Sequence, residues 1–269
     1  MTAAPLVSFI TPANNRPKEL KAALASCLAQ TLDSWEVVVV DDHSDQADLE
    51  ALINTLSDSR IRYIPQVAGR TGEAAGRETA IAAARSNILI TLDSDDLNHP
   101  QRAARCHEHL KVSTPRLLYT RVHLFSNTNP SGRQKPVFQP FNPKLLEMVN
   151  FITNPGTAFN RAAYKAAGNH YETSLKLATD YDQFLRMARA GVSIIGLDEA
   201  HVSYRKHAGA VTSGAGDALH QAVMQVRQLN NVEPFPIEAI CAHALPELCH
   251  NILDNPEQRA LWTDDRWNA

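Results

Sequence analysis

Short apolar, β-branched runs alternate with helix-periodic stretches along the amino-terminal part of the chain. Leu6 to Thr11 reads as a strand, followed by a turn at Pro12 and Asn14-Asn15. Pro17 to Gln30 carries Leu20, Leu24 and Leu28 on one helical face among alanines. Pro17 suits the first helical turn, where its missing N–H costs nothing. Trp35 to Val40 predicts a second strand, Asp48 to Leu56 a helix, Arg60 to Gln66 a strand, Gly72 to Arg85 a helix, and Asn87 to Leu92 a fourth strand. The runs Val37-Val38-Val39-Val40 and Ile88-Leu89-Ile90 do not alternate with polar residues, as expected of strands buried on both faces of a parallel sheet. The order β-α-β-α-β-α-β therefore predicts an α/β fold.

The pattern changes beyond Ser113. A helix is expected over Pro100 to Lys111, then strands at 117–125 and 136–140 around the polar loop Ser126 to Lys135. A short helix follows at Asn142 to Val149, a strand–turn segment at Ile152 to Asn160, a helix at Asp180 to Ala190, and strands at Ser193 to Leu197 and Val202 to Arg205. From about Asp217 the chain reads as helical, broken by Pro234, Pro236, Pro246 and Pro256. This predicts a first half at 1–112, a second half of the same domain at 113–215, and a helical appendage at 216–269.

Two acidic clusters stand at the carboxyl ends of predicted strands: Asp41-Asp42 after the second, and Asp93-Ser94-Asp95-Asp96 after the fourth. Ligands of open α/β sheets bind at such ends. Carboxylates this close repel unless a cation or a donor-rich ligand lies between them. Magnesium or manganese bridged to phosphates is the natural partner.

With 269 residues and a formal charge of −3, one large domain is expected and broad nucleic-acid binding is not. Cys27, Cys106, Cys241 and Cys249 form no C-x-x-C pair, which fits a reduced, cytoplasmic setting. No leader-like segment or membrane-length apolar run is visible, while association with the inner face of a membrane is left open.

Ordered this way, the chain resembles the inverting family 2 glycosyltransferases of the GT-A fold over roughly residues 6–210. The resemblance rests on Val7-Ser8-Phe9-Ile10-Thr11-Pro12, Ser26-Cys27-Leu28-Ala29-Gln30-Thr31, and Trp35 through Ser44. It continues in Glu73-Ala74-Ala75-Gly76-Arg77-Glu78, Leu92-Asp93-Ser94-Asp95-Asp96 and Thr179 through Arg186. It implies a Rossmann-like, mostly parallel sheet flanked by helices. It also implies transfer of a sugar from a nucleoside diphosphate to an acceptor, assisted by Mn2+ or Mg2+. A UDP-sugar is the favoured donor. The acceptor would be a glycan, a lipid-linked glycan or a small molecule, and homo-oligomerisation is left open.

Carried over residue by residue, the resemblance makes Asp93 and Asp95 the D-x-D pair, with metal on Asp95 and ribose or metal on Asp93. His207 is a further metal or diphosphate residue, with Arg205 and Lys206 weaker diphosphate candidates. Thr11, Pro12, Asn14, Arg16, Asp41, Asp42 and Arg77 fall on nucleotide-binding positions, and Asp180 on the general base. Asn14 replaces the usual base-stacking aromatic, and Thr179 the usual glutamate before the base. Structural roles compete: an Asx-turn for Asp41, a pair with Glu73 or Glu78 for Arg77, helix N-caps for Asp96 and Asp180, and a first-turn charge for Asp182. Two other activities fit the acidic clusters, a sugar nucleotidyltransferase and a non-catalytic sugar-nucleotide-binding module. The first expects a glycine-rich loop after the first strand, and Thr11 to Arg16 contains no glycine.

Overall fold

A computed structural model describes residues 4–134, 138–207, 216–233, 235, 238–246 and 248. Strands β1 (Val7–Ala13), β2 (Trp35–Asp41), β3 (Ile61–Pro65) and β4 (Ile88–Thr91) run parallel in the order β3-β2-β1-β4. Helices α1 (Pro17–Leu28), α2 (Leu49–Thr55) and α3 (Glu73–Ala83) form the connections. The valine run of β2 is wholly buried, Val37 and Val39 entering one core layer and Val38 and Val40 the other. Because β2 and β4 flank β1 on opposite sides, a crevice opens at the carboxyl end of β1.

The sheet continues through β5 (Leu97–Asn98), β6 (Arg116–Phe125), β7 (Arg133–Gln134), β8 (Thr157–Asn160) and β9 (Ser193–Arg205). Its full order is β3-β2-β1-β4-β8-β6-β9-β5, with β7 on β6. β8 is antiparallel to β4 and β6, whereas β6 and β9 are parallel. The two segments expected at Ser193–Leu197 and Val202–Arg205 are one strand, interrupted by register shifts opposite Thr120 to Val122. The strand expected at 136–140 is not seen at 138–140; Pro140, which lacks an N–H, cannot donate to a ladder. Residues 136 and 137 lie outside the described residues. The partner of β6 in this region is Arg133–Gln134, which pairs with His123 and Leu124.

Helices α4 (Arg102–Leu110), α5 (Pro143–Met148), α6 (Arg161–Ala166) and α7 (Thr179–Arg189) cover the sheet. Beyond them, α8 (Gly216–Leu229) is more than an appendage: fully buried Val226 belongs to the main core, and Asn230 just after it donates to Asp182 at 2.8 Å. A short α9 (Glu238–Cys241) adds Ile240 to a satellite cluster with Leu145 and Val149. Among the described residues no helix is long and apolar enough to cross a membrane.

Candidate active site

The acidic cluster after β4 sits at the crevice because β4 ends beside the carboxyl end of its parallel neighbour β1. Asp95 Oδ2 accepts from Arg16 Nη1 at 2.5 Å and lies 2.9 Å from His207 Nε2. Arg16 Nη1 is also 2.9 Å from His207 Nε2. Residues far apart in sequence therefore meet: Arg16 leaves β1, Asp95 follows β4, and His207 follows β9.

Asp96 fixes this arrangement from below. It is fully buried, and its Oδ1 accepts the Arg205 backbone N–H at 2.8 Å. Arg205 Nε in turn donates to the Asp95 carbonyl at 2.8 Å. Burial, with Asp93 close by, pushes the Asp96 carboxyl well above the usual carboxylate range. Asp96 does not cap α4, whose N-cap is Gln101.

Arg77 projects from α3 beneath the cleft and is 1% exposed. Its Nη2 pairs with Glu73 and lies 3.0 Å from Asp93 Oδ1. Burial works against its charge, but Glu73 and Asp93 outweigh burial and hold it protonated. Glu73, with 42% of its side chain exposed, is enclosed on its inner side. That enclosure pushes its carboxyl up to about 7; Arg77 opposes the rise, and Asp93 and Asp180 add to it. The glycine after which α3 starts and the one inside it have separate tasks. Gly72 adopts φ +91°, and a Cβ on Gly76 would stand 2.8 Å from Pro12 Cβ, so α3 packs directly on the end of β1.

Asp41 and Asp42 diverge. Asp41 takes the Asx-turn role, accepting from Ser44 N and from the Tyr63 hydroxyl, both at 3.0 Å. Burial and this contact push the Tyr63 hydroxyl up to about 12. Asp42 Oδ2 accepts from Gly72 N at 2.8 Å, while its Oδ1 is buried with no hydrogen-bond partner. Asn14 donates to the Asp42 carbonyl at 2.7 Å. Thr11 is buried at the end of β1 with its hydroxyl unpartnered, next to Pro12.

Asp180 lies in the first turn of α7, and the cap position belongs to Ala178, whose φ of +57° is left-handed. Burial raises the Asp180 carboxyl; Arg77 opposes this, as do the backbone N–H groups of Tyr181 and Asp180 itself. Asn150 Nδ2 donates to Asp180 Oδ2 at 3.4 Å. No sequence pattern points to Asn150, which stands thirty positions away in a loop. Asp182 is more than a first-turn charge. It is 2% exposed and pairs with Arg186 at 2.8 Å as well as accepting from Asn230.

Among the described residues no three ligating side chains gather into a metal site. The residues present nonetheless fit a hard cation. Two ligands about 2.1 Å from an octahedral ion and at right angles lie about 3.0 Å apart. The 2.9 Å between Asp95 Oδ2 and His207 Nε2 matches that separation.

The model of "Glycosyl transferase family 2" matches residues 8–171. WcaA of Escherichia coli K12, assigned to colanic acid biosynthesis as a glycosyl transferase, is 30% identical over 193 residues, covering 68% of this chain and 66% of that protein. Two further curated relatives align over only 28% and 36% of their own lengths. Among solved structures, S. aureus TarS residues 1–349 with UDP-GlcNAc matches with a TM-score of 0.67 at 18% identity, covering 95% of this chain and 78% of that one. The mannosyltransferase PcManGT from Pyrobaculum calidifontis, in complex with GDP-Man and Mn2+, matches with a TM-score of 0.62 at 20% identity, covering 99% and 72%. These likenesses establish the GT-A fold, and the family match decides for glycosyl transfer over nucleotidyl transfer. The chain belongs to glycosyl transferase family 2 and is a glycosyltransferase.

Proposed function

We propose that the enzyme moves a sugar, with inversion at the anomeric carbon, from a nucleoside diphosphate to an acceptor hydroxyl in the assembly of a glycan. The observation that carries this reading is the convergence, around the crevice at the carboxyl ends of β1 and β4, of the Asp95–His207 pair, the Arg77–Asp93 pair and Asp180. Neighbours of the same fold in complex with UDP-GlcNAc, or with GDP-Man and Mn2+, support a nucleotide-sugar donor and a divalent metal. The colanic acid relative supports a polysaccharide product.

In this reading Asp95 and His207 hold Mn2+ or Mg2+, which would supply Lewis-acid neutralisation of the leaving diphosphate. Asp93, held by Arg77, meets the ribose. Asp42 offers its unpartnered Oδ1 to the base, and Thr11, Pro12 and Asn14 line the same end of β1. Asp41 supports them by holding the turn to Ser44. Asp180 takes the acceptor proton as the acceptor oxygen bonds to the anomeric carbon and the bond to the diphosphate breaks. Residues 1–112 serve the donor, residues 113–215 the acceptor and the base, and the helices from 216 brace the second half.

A thermal-shift panel of UDP, GDP, CDP and dTDP, each with and without Mn2+, tests the donor side. One nucleotide should stabilise the protein only when Mn2+ is present; no response to any of them would overturn the donor assignment. On the acceptor side, Asp180→Asn should abolish transfer while donor binding persists, and ordinary turnover would remove Asp180 from the mechanism.

A further inference from the structure

The three atoms at the tip of the cleft cannot all be hydrogen-bonded to one another. Arg16 Nη1, Asp95 Oδ2 and His207 Nε2 form a triangle with edges of 2.5, 2.9 and 2.9 Å. Arginine only donates and an ionised carboxylate only accepts, while each imidazole nitrogen does one or the other. If Nε2 carries a proton, it donates to Asp95, and then two donors face each other on the arginine side. If it does not, Arg16 donates to both, and two lone pairs face each other across 2.9 Å. The second arrangement is that of two ligands around a shared cation, with one guanidinium nitrogen as the cation.

We propose that Arg16 is a surrogate cation: without donor it holds the Asp95–His207 pair, and when the donor arrives it gives that place to the metal and turns to the diphosphate. This rests on the metal reading above and adds an order of events, because metal and nucleotide then enter together and the metal alone is opposed. Arg16 is suited to both positions. It stands at the non-helical N-cap of α1 with its side chain 28% exposed, so the guanidinium can swing without unfolding the helix. Its planar fork also suits a phosphate.

The test measures Mn2+ binding to the whole protein by electron paramagnetic resonance, with and without UDP. Wild type should bind Mn2+ weakly alone and more tightly with UDP. Arg16→Gln should bind Mn2+ alone on the order of tenfold more tightly, yet bind UDP–Mn2+ more weakly. Arg16→Lys, which keeps the charge but loses the fork, should fall between. Lys18→Gln is the charge-matched control, since Lys18 lies two residues from Arg16 in the first turn of α1 and is exposed. If it tightens Mn2+ as much as Arg16→Gln does, net charge alone explains the effect and the proposal falls. Arg16→Gln with unchanged or weaker Mn2+ binding overturns it too. Absence of Mn2+ binding in every protein, with or without UDP, would instead defeat the metal reading beneath it.

Discussion

At the scale of single residues, the cleft is governed by how three carboxylates share one buried guanidinium. Arg77 is close enough to Glu73, Asp93 and Asp180 to influence all three, and its charge opposes the rise that burial imposes on the proposed base. A base must be ionised to act, and burial raises the Asp180 pKa. The acid limb of kcat/KM should therefore lie above the usual carboxylate value, with activity lost as pH falls through it. Arg77→Met should move that limb to still higher pH, because it removes the charge that favours the ionised form. The same variant should destabilise the fold by about 2–3 kcal/mol, since Asp93 and Glu73 lose their counter-ion. A limb that stays in place would show that Asp180 does not sense Arg77. Some of this was legible in the sequence: Asp93 and Asp95 follow from where acids fall at a strand end, whereas Arg77 and Asp180 came only with the family resemblance. The contacts of Arg16 with Asp95, 79 positions away, and of Asn150 with Asp180 were not, because they depend on how distant elements pack.

At the scale of elements, close approach matters more than polarity. The contact of α3 with β1 passes through Gly76 and Pro12, so a methyl group at Gly76 has no room. Gly76→Ala should cost about 1–3 kcal/mol in urea unfolding and weaken nucleotide binding, because overpacking there displaces the strand end that carries the proposed donor site. Unchanged stability would mean that α3 can shift freely. Val226→Ala on α8 should cost about 2 kcal/mol, as expected for a core residue and not for a detachable tail. Wild-type stability in that variant would restore the view of a separate appendage. Periodicity located β1 to β4 and α1 to α4 to within a few residues, because each signal is local. It missed β5 and placed β7 wrongly, since two-residue strands are defined by their partners and not by their own composition, and it missed the six-residue helix α6.

At the scale of the whole molecule, the sheet joins a parallel part to a mixed part through the β4–β8 pair, and β9 lies on the mixed side between β6 and β5. Between Leu197 and Val202 this strand takes five steps while β6 takes two, from Thr120 to Val122. The surplus is odd, and side chains on a strand alternate sides with a period of two. The irregularity therefore acts as a parity switch: everything beyond it presents the side an unbroken strand would have turned away. Arg205 and His207 come after the switch, so their access to Asp95 and Asp96 is a matter of counting as well as of chemistry. Removing one residue between Asp198 and His201 should reverse the parity and abolish Mn2+-dependent nucleotide binding, whereas removing two should preserve it. Substitutions in this stretch can therefore be tolerated even where a change of length by one is not, and the arithmetic of the strand guards the site as closely as any side chain within it.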